Sequence, residues 1–349
     1  MTKLPDTVRL EGGCLEIIDQ TLLPGQIKIL RLRTKEEIYY AIRQLKVRGA
    51  PAIGVAAAIG VYLAALDIKV NNFEDFYDRF LLAKIYLNSA RPTAVNLSWA
   101  LDRMEKCLLN NSENPVDEIL NSLKNEALAI WTEDIEVCKK IGENGLQILE
   151  KNSGILTHCN AGQLAAVRYG TATAPIYRGH ELGYNFKIFA DETRPLLQGS
   201  RLTAFELDAA GIDVTLICDN MASAVMRQGK IQAVLTGCDR VAANGDTANK
   251  IGTSGVAILA KYYNIPFYIC APSSTIDLGS RSGADIKIEE RDSLEVTEMW
   301  FHERMAPEGI SVYNPAFDVT DAELISGIIT EFGIVKAPYA QNLPAMIAG

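Results

Sequence analysis

Apolar positions recur at helical spacing through roughly the first 150 residues and then give way to short apolar runs separated by polar turns. After a short extended beginning, TKEEIYYAIRQLKV (34–47) reads as a helix with Thr34 as its cap and acidic residues in the first turn. RGAPAIG (48–54) breaks that helix and starts the next one. Periodic segments near 73–88, 93–109, 115–129 and 132–150 continue the pattern, with Pro92 and Pro115 where helices begin. Gly49 to Leu66 carries no charge, and its 18 residues reach the edge of membrane-spanning length. Pro51, Gly54, Gly60 and many alanines point instead to a buried, closely packed helix.

Beyond residue 150 the apolar runs are Ile155 to Thr157, Phe186 to Ala190, Val214 to Ile217, Ala233 to Thr236 and Phe267 to Cys270, each followed by a turn and a helical segment. This alternation predicts an α/β fold: a mainly helical domain over 1–150 and a domain over 151–349 built on a parallel sheet covered by helices. The turns after the strands, HCNAGQ, DETRPLLQGSR, CDNMAS, GCDRVAANGDTANK and APSSTID, then lie at one edge of the sheet, where ligands bind.

The length of 349 residues fits two domains at about 150 residues each. Lys and Arg number 34 against 43 Asp and Glu, a net charge of -9 that disfavours a broad grip on nucleic acid but leaves room for a local basic pocket. With 48% hydrophobic residues the chain can bury a large core. Seven widely spaced cysteines without a C-x-x-C pair argue against a disulfide framework or a zinc ribbon and fit a reduced, cytoplasmic protein. The amino end, MTKLPDTVRLEGG, has no apolar signal core, so neither secretion nor a membrane anchor is expected.

Several constellations could carry chemistry. Arg48 stands beside Gly49 and Ala50 at the start of an apolar helix, where a guanidinium and free backbone N–H groups suit a phosphate; an ordinary helix corner with a solvated arginine is the alternative. Arg91 in RPTAVNL is a second arginine before a helix start. Cys159 follows a strand and precedes a helix, a geometry that can lower a thiol's pKa, although inert buried cysteines are commoner. His158 should point away from it, as a structural histidine. Asp239 follows a strand and opens a fourteen-residue loop that ends in Asn249 and Lys250 before a helix near Gly252. An acid, an amide and an amine so placed suit proton transfer to a sugar phosphate, while Asp239 and Arg240 could equally pair locally. Gln198 can read a hydroxyl, and Arg194 can lock its loop to an acid. Asp246 reads as turn chemistry. Asp191, Glu192, Asp219 and Asp239 lack the spacing of a metal cage, so no metal is assigned, and without a P-loop or GxGxxG pattern no nucleotide cofactor is expected.

Taken together, RGAPAIG (48–54), RPTAVNLSWAL (91–101), THCNAG (157–162), ETRPLLQGSRLTAFEL (192–207), DNMAS (219–223), GCDRVAANGDTANKIGT (237–253), APSSTID (271–277) and APEGISVYNPAFDVT (306–320) resemble the 5-methylthioribose-1-phosphate isomerases of methionine salvage, relatives of the α, β and δ subunits of translation initiation factor 2B. The resemblance implies a homodimer with a Rossmann-like carboxyl-terminal domain and metal-free, cofactor-free conversion of 5-methylthioribose 1-phosphate to 5-methylthioribulose 1-phosphate. It places the acid–base aspartate on Asp239, the thiol on Cys159, and substrate contacts on Arg48, Gly49, Ala50, Arg91, Gln198, Asn249 and Lys250. The chain departs from the pattern at Cys238, at Gln163 to Ala166 and at Arg168. These departures keep 5-deoxyribose 1-phosphate open as a substrate. Ribose 1,5-bisphosphate would need a further basic residue, for which Arg168 and Arg194 are candidates, and a non-catalytic sugar-phosphate-sensing subunit is the alternative outside enzymology. In the expected chemistry protonated Asp239 donates to the ring oxygen and a Cys159 thiolate takes the C2 proton; a hydride shift from C2 to C1 is the competing route.

Overall fold

A computed structural model describes residues 4–70, 72–92 and 94–348. The chain starts with an antiparallel sheet of three strands, β1 (Val8–Glu11), β2 (Cys14–Ile18) and β3 (Ile29–Leu32). Helix α1 (Lys35–Arg43) begins where expected: Thr34 accepts from the Glu37 N–H while the Glu37 carboxylate accepts from the Thr34 N–H, satisfying two donors that a helix start leaves open. Helix α2 (Ala50–Leu66) is buried on nearly every side, as its lack of charge requires. Its small residues let α3 (Phe73–Asn88), α4 (Val95–Asn110) and α5 (Val116–Leu146) pack around it, with Phe76, Phe80, Leu97 and Leu101 in the core between them. The two helices expected over 115–129 and 132–150 are one helix of 31 residues, because the WTED stretch between them contains no residue that stops a helix. Helix α5 consequently runs from the helical part down to the sheet, where it meets α6 (Ala174–Glu181).

The large sheet contains β4 (Gly154–Thr157), β5 (Lys187–Asp191), β6 (Val214–Ile217), β7 (Ala233–Thr236), β10 (Phe267–Cys270), β13 (Gly327–Thr330) and β14 (Gly333–Val335), in the spatial order β14-β13-β10-β7-β4-β5-β6. Six of these strands run parallel, and β14 closes one edge antiparallel to β13. Short helices α7 (Phe205–Ala209) and α8 (Ala222–Arg227) and the longer α9 (Thr253–Tyr262) lie between strands. A smaller sheet in the order β11-β8-β9-β12 is made of β8 (Arg240–Ala242), β9 (Thr247–Lys250), β11 (Ile276–Asp277) and β12 (Phe317–Thr320). It replaces the long loop expected after Asp239. The short helix α10 (Leu294–Thr297) sits in the long segment before β12, and α11 (Tyr339–Ala348) ends the chain. Among the described residues no helix is long and apolar enough to cross a membrane, and all seven cysteines are unpaired.

Candidate active site

Strand order locates the site. From β4 the chain moves outward to β5 and β6, then returns to place β7, β10 and β13 on the other side of β4. The carboxyl ends of β4 and β7 therefore flank the point where the winding reverses, and their flanking loops splay apart to leave a crevice. Cys159 lies two residues beyond β4 and Asp239 three residues beyond β7. The amino terminus of α2 closes the crevice from the helical side, and all nine residues singled out from the sequence line this one cavity.

Each is held by identifiable local structure. Gly49 has φ of 92°, and a Cβ there would stand 2.4 Å from the Ala165 Cα, so only glycine lets the start of α2 approach this loop. Arg48 donates to the Asn160 side-chain oxygen at 2.9 Å and to the Asn160 carbonyl at 2.6 Å. Cys159 is itself in the left-handed region at φ 65°. Its N–H donates to the Thr193 hydroxyl at 2.8 Å and its carbonyl accepts from Thr203 at 2.6 Å, which fixes the thiol over the cavity. No regular helix follows it directly; the next element is a single tight turn at Gln163–Ala165, so the expected helix terminus does not act on the sulfur. Asn249 and Lys250 sit at the end of β9, and the Lys250 ammonium donates to the Ala316 carbonyl at 2.9 Å above the Phe317 ring. Gln198 is buried with its side-chain oxygen unpartnered, a group left to meet a ligand.

Burial dominates the electrostatics. It pushes the Asp239 carboxyl above the usual range, against the opposing pull of Lys250, Arg91 and Arg48. It also pushes the Cys159 thiol up, despite Arg48 and Lys250 nearby, which disfavours the expected thiolate. Burial lowers both Arg48 and Lys250, with Cys159 and Asp239 opposing that effect.

Arg240 pairs with Asp277 of β11 at 3.1 Å. Asp246 accepts from the Gly283 and Ala322 N–H groups and from Asn244, as turn chemistry requires. His158 is buried between the Asp191 carboxylate at 3.0 Å and the Ile251 carbonyl at 2.9 Å, outside the cavity. Burial opposes its charge, but these acceptors outweigh burial and raise its pKa. His158, Asp191 and Asp219 bring ligand atoms within 4.8 Å of one another, yet Asp219 already accepts from the Thr193 and Arg194 N–H groups. Arg168 bonds Asp6 over the Trp131 ring, and Arg194 reaches the Val296 carbonyl and the Phe301 ring; neither lines the cavity. Two charged residues that do line it, Glu289 and Arg291, come from a segment with no periodic pattern.

Comparison with known proteins agrees with this arrangement. The chain is 63% identical over 345 residues to a methylthioribose-1-phosphate isomerase of Symbiobacterium thermophilum, covering 98% of this chain and 96% of that one. It is 58% identical over 343 residues to a 5-deoxyribose 1-phosphate isomerase of Petrotoga mobilis, covering 98% and 99%. The crystal structure of 5-methylthioribose 1-phosphate isomerase from Pyrococcus horikoshii OT3 superposes with a TM-score of 0.93 at 45% identity, covering 99% of this chain and 97% of that one. Residues 46–337, which hold every one of the nine cavity residues, match the Initiation factor 2 subunit family, and the chain belongs to it.

Proposed function

We propose that this protein is an aldose–ketose isomerase that converts 5-methylthioribose 1-phosphate to 5-methylthioribulose 1-phosphate. The observation that carries the reading is the meeting of Asp239 and Cys159 at the switch point between β4 and β7, inside a cavity whose cations are Arg48, Arg91, Lys250 and Arg291. A sensing subunit needs the cations but has no use for a carboxyl whose surroundings raise its pKa.

A sugar 1-phosphate has no anomeric hydroxyl proton, so its ring cannot open as a free aldose does. Asp239, which burial pushes toward its protonated form, supplies the missing proton to the ring oxygen as the bond from that oxygen to C1 breaks. The electron-poor C1 then receives the hydrogen of C2 with its electron pair. The C2 hydroxyl becomes a carbonyl as its proton returns to the Asp239 carboxylate, which restores the acid. Arg48, the Gly49 and Ala50 backbone, Arg91 and Lys250 hold the phosphate; Gln198 and Asn249 orient hydroxyls. Cys159, whose ionisation burial disfavours, shields the reacting carbons from water. The enol route needs a thiolate, which this burial disfavours.

The name of the Petrotoga mobilis relative keeps 5-deoxyribose 1-phosphate as the second reading. Ribose 1,5-bisphosphate is disfavoured, since Arg168 and Arg194 point elsewhere. Comparing kcat/KM for the three sugars tests the assignment. The 5-methylthio sugar is expected to lead; a lead of tenfold or more for either other sugar overturns it.

The chain is read as a cytoplasmic homodimer. Its thiols are unpaired, and β6 is an edge strand with Leu216 exposed, beside a turn carrying exposed Met221. Trp300 and Phe301, also exposed, lie against Arg201 and Arg194 of the neighbouring turn, and a second copy would cover this apolar face.

A further inference from the structure

The segment from Glu289 to Ala316 brings to the cavity two charges, Glu289 and Arg291, to which the mechanism above gives no role. Its base is a short antiparallel clasp: Arg291 N–H donates to the Asn314 carbonyl at 2.9 Å, and Ala316 N–H donates to the Glu289 carbonyl at 2.8 Å. The clasp presents Glu289 and Arg291 to the cavity. There Arg91, from the helical part, meets Glu289 at 3.5 Å, while Arg291 meets the other oxygen of the same carboxylate at 3.0 Å. Arg291 is backed in turn by Glu295 at 2.6 Å, a carboxylate that Asn314 also holds. The row reads Arg91, Glu289, Arg291, Glu295, with alternating sign.

The two bonds to Glu289 are unequal. The contact with Arg291 is well formed, whereas 3.5 Å to Arg91 is at the outer limit of a hydrogen bond. We propose that Glu289 occupies Arg91 in the unliganded protein as a stand-in for phosphate, that the substrate's phosphate displaces it, and that Arg291 retains the displaced carboxylate.

A carboxylate with one guanidinium partner cannot give it up without becoming an unpaired, half-buried charge, and that is costly. One with two partners can release the weaker contact and stay neutralised. Phosphate, which fits a guanidinium fork as a carboxylate does and carries more negative charge, then takes Arg91. Arg291 is thus a positioning residue: it acts on the substrate through Glu289, and it makes exchange inexpensive in both directions, so product leaves by the reverse step.

The inference rests on the sugar-phosphate reading, and the experiment separates the two. Inorganic phosphate is titrated calorimetrically into the full chain and into folded Arg91→Gln, Glu289→Gln, Arg291→Gln and the Glu289→Gln/Arg291→Gln double variant. Phosphate should bind the parent chain and bind Arg91→Gln more weakly. Removing the internal competitor with Glu289→Gln should lower the phosphate Kd about fivefold, and Arg291→Gln, which leaves Glu289 dependent on Arg91, should raise it about tenfold.

The double variant decides. With no carboxylate left to retain, Arg291 has nothing to do, so the double variant should stay within about twofold of Glu289→Gln. General attraction by net charge predicts additive effects instead, and additivity overturns the proposal; so does a shift of both single variants in one direction. If Arg291→Gln fails to fold, Arg291→Lys, which keeps the charge and loses the fork, should raise Kd about threefold and lose that effect in the Glu289→Gln background; persistence of the effect there overturns the proposal. A parent chain that binds no phosphate overturns both this inference and the sugar-phosphate reading. Phosphate binding that depends on Arg91 together with an additive cycle overturns this inference alone.

Discussion

Asp239 and Cys159 occupy the same cavity and are both pushed by burial toward their neutral forms, but neutrality does different things to them. A protonated carboxyl can donate its proton as a general acid, whereas a neutral thiol is a poor base. That difference predicts the fate of the C2 hydrogen. Run in deuterated water, the reaction should leave C1 of the ketose free of deuterium, because the hydrogen moves within the molecule. Deuterium at C1, read by mass spectrometry or NMR, would contradict the hydride shift and restore a proton-accepting sulfur. The nine cavity residues were legible because strand-end loops in a parallel sheet must converge and because their motifs resemble those of a known family. Glu289 and Arg291 were not, since they stand in IEERDS, a charged stretch with neither helical nor strand periodicity. The helix expected directly after Cys159 is absent, since the chain makes only a tight turn there.

The elements around the site carry buried charge of their own. Glu206, in α7, accepts from the Leu164 N–H at 3.0 Å with its other oxygen unpartnered, and burial pushes it up to about 7 from 4.5. A carboxyl that binds its proton more tightly when folded contributes stability that is full below the unfolded value and lost as pH rises through the folded one. Glu206→Gln should therefore melt near the parent's temperature below pH 4.5 and hold an advantage of about 3 kcal/mol by pH 8. Some pH dependence should survive in the variant, since Asp134, half-buried in α5, is also pushed up to about 7. Thermal melts across this range check it, and a parallel slope in both proteins contradicts the assignment. At this scale the sequence was least informative about β8 and β9. The TANK stretch of β9 is buried on both faces, so it shows no alternation of apolar and polar residues, and its pairing comes from tertiary neighbours β8 and β12. Helix α2 was plain for the opposite reason: an uncharged run of this length with glycines and alanines has few places to go except a core.

Across the whole molecule, a chain of net charge -9 gathers three arginines and a lysine in one cavity. The total charge excludes little beyond nucleic acid, whereas the local arrangement selects a small anion. Arg48 and Arg91 come from the helical part, while Lys250, Arg291, Cys159 and Asp239 come from the sheet part, so the site exists only where the two parts meet. The exposed apolar face beside β6 has no partner within the chain, and light scattering should give twice the mass of one chain; a monomer at micromolar concentration contradicts the homodimer. The central claim is that Asp239 provides the proton for ring opening of a sugar 1-phosphate. Turnover of 5-methylthioribose 1-phosphate by the parent protein and by folded Asp239→Asn tests it most directly. The parent should form the ketose and the variant should lose at least about a thousandfold in kcat while still binding phosphate; near-normal turnover by Asp239→Asn, or no ketose from the parent, would contradict it.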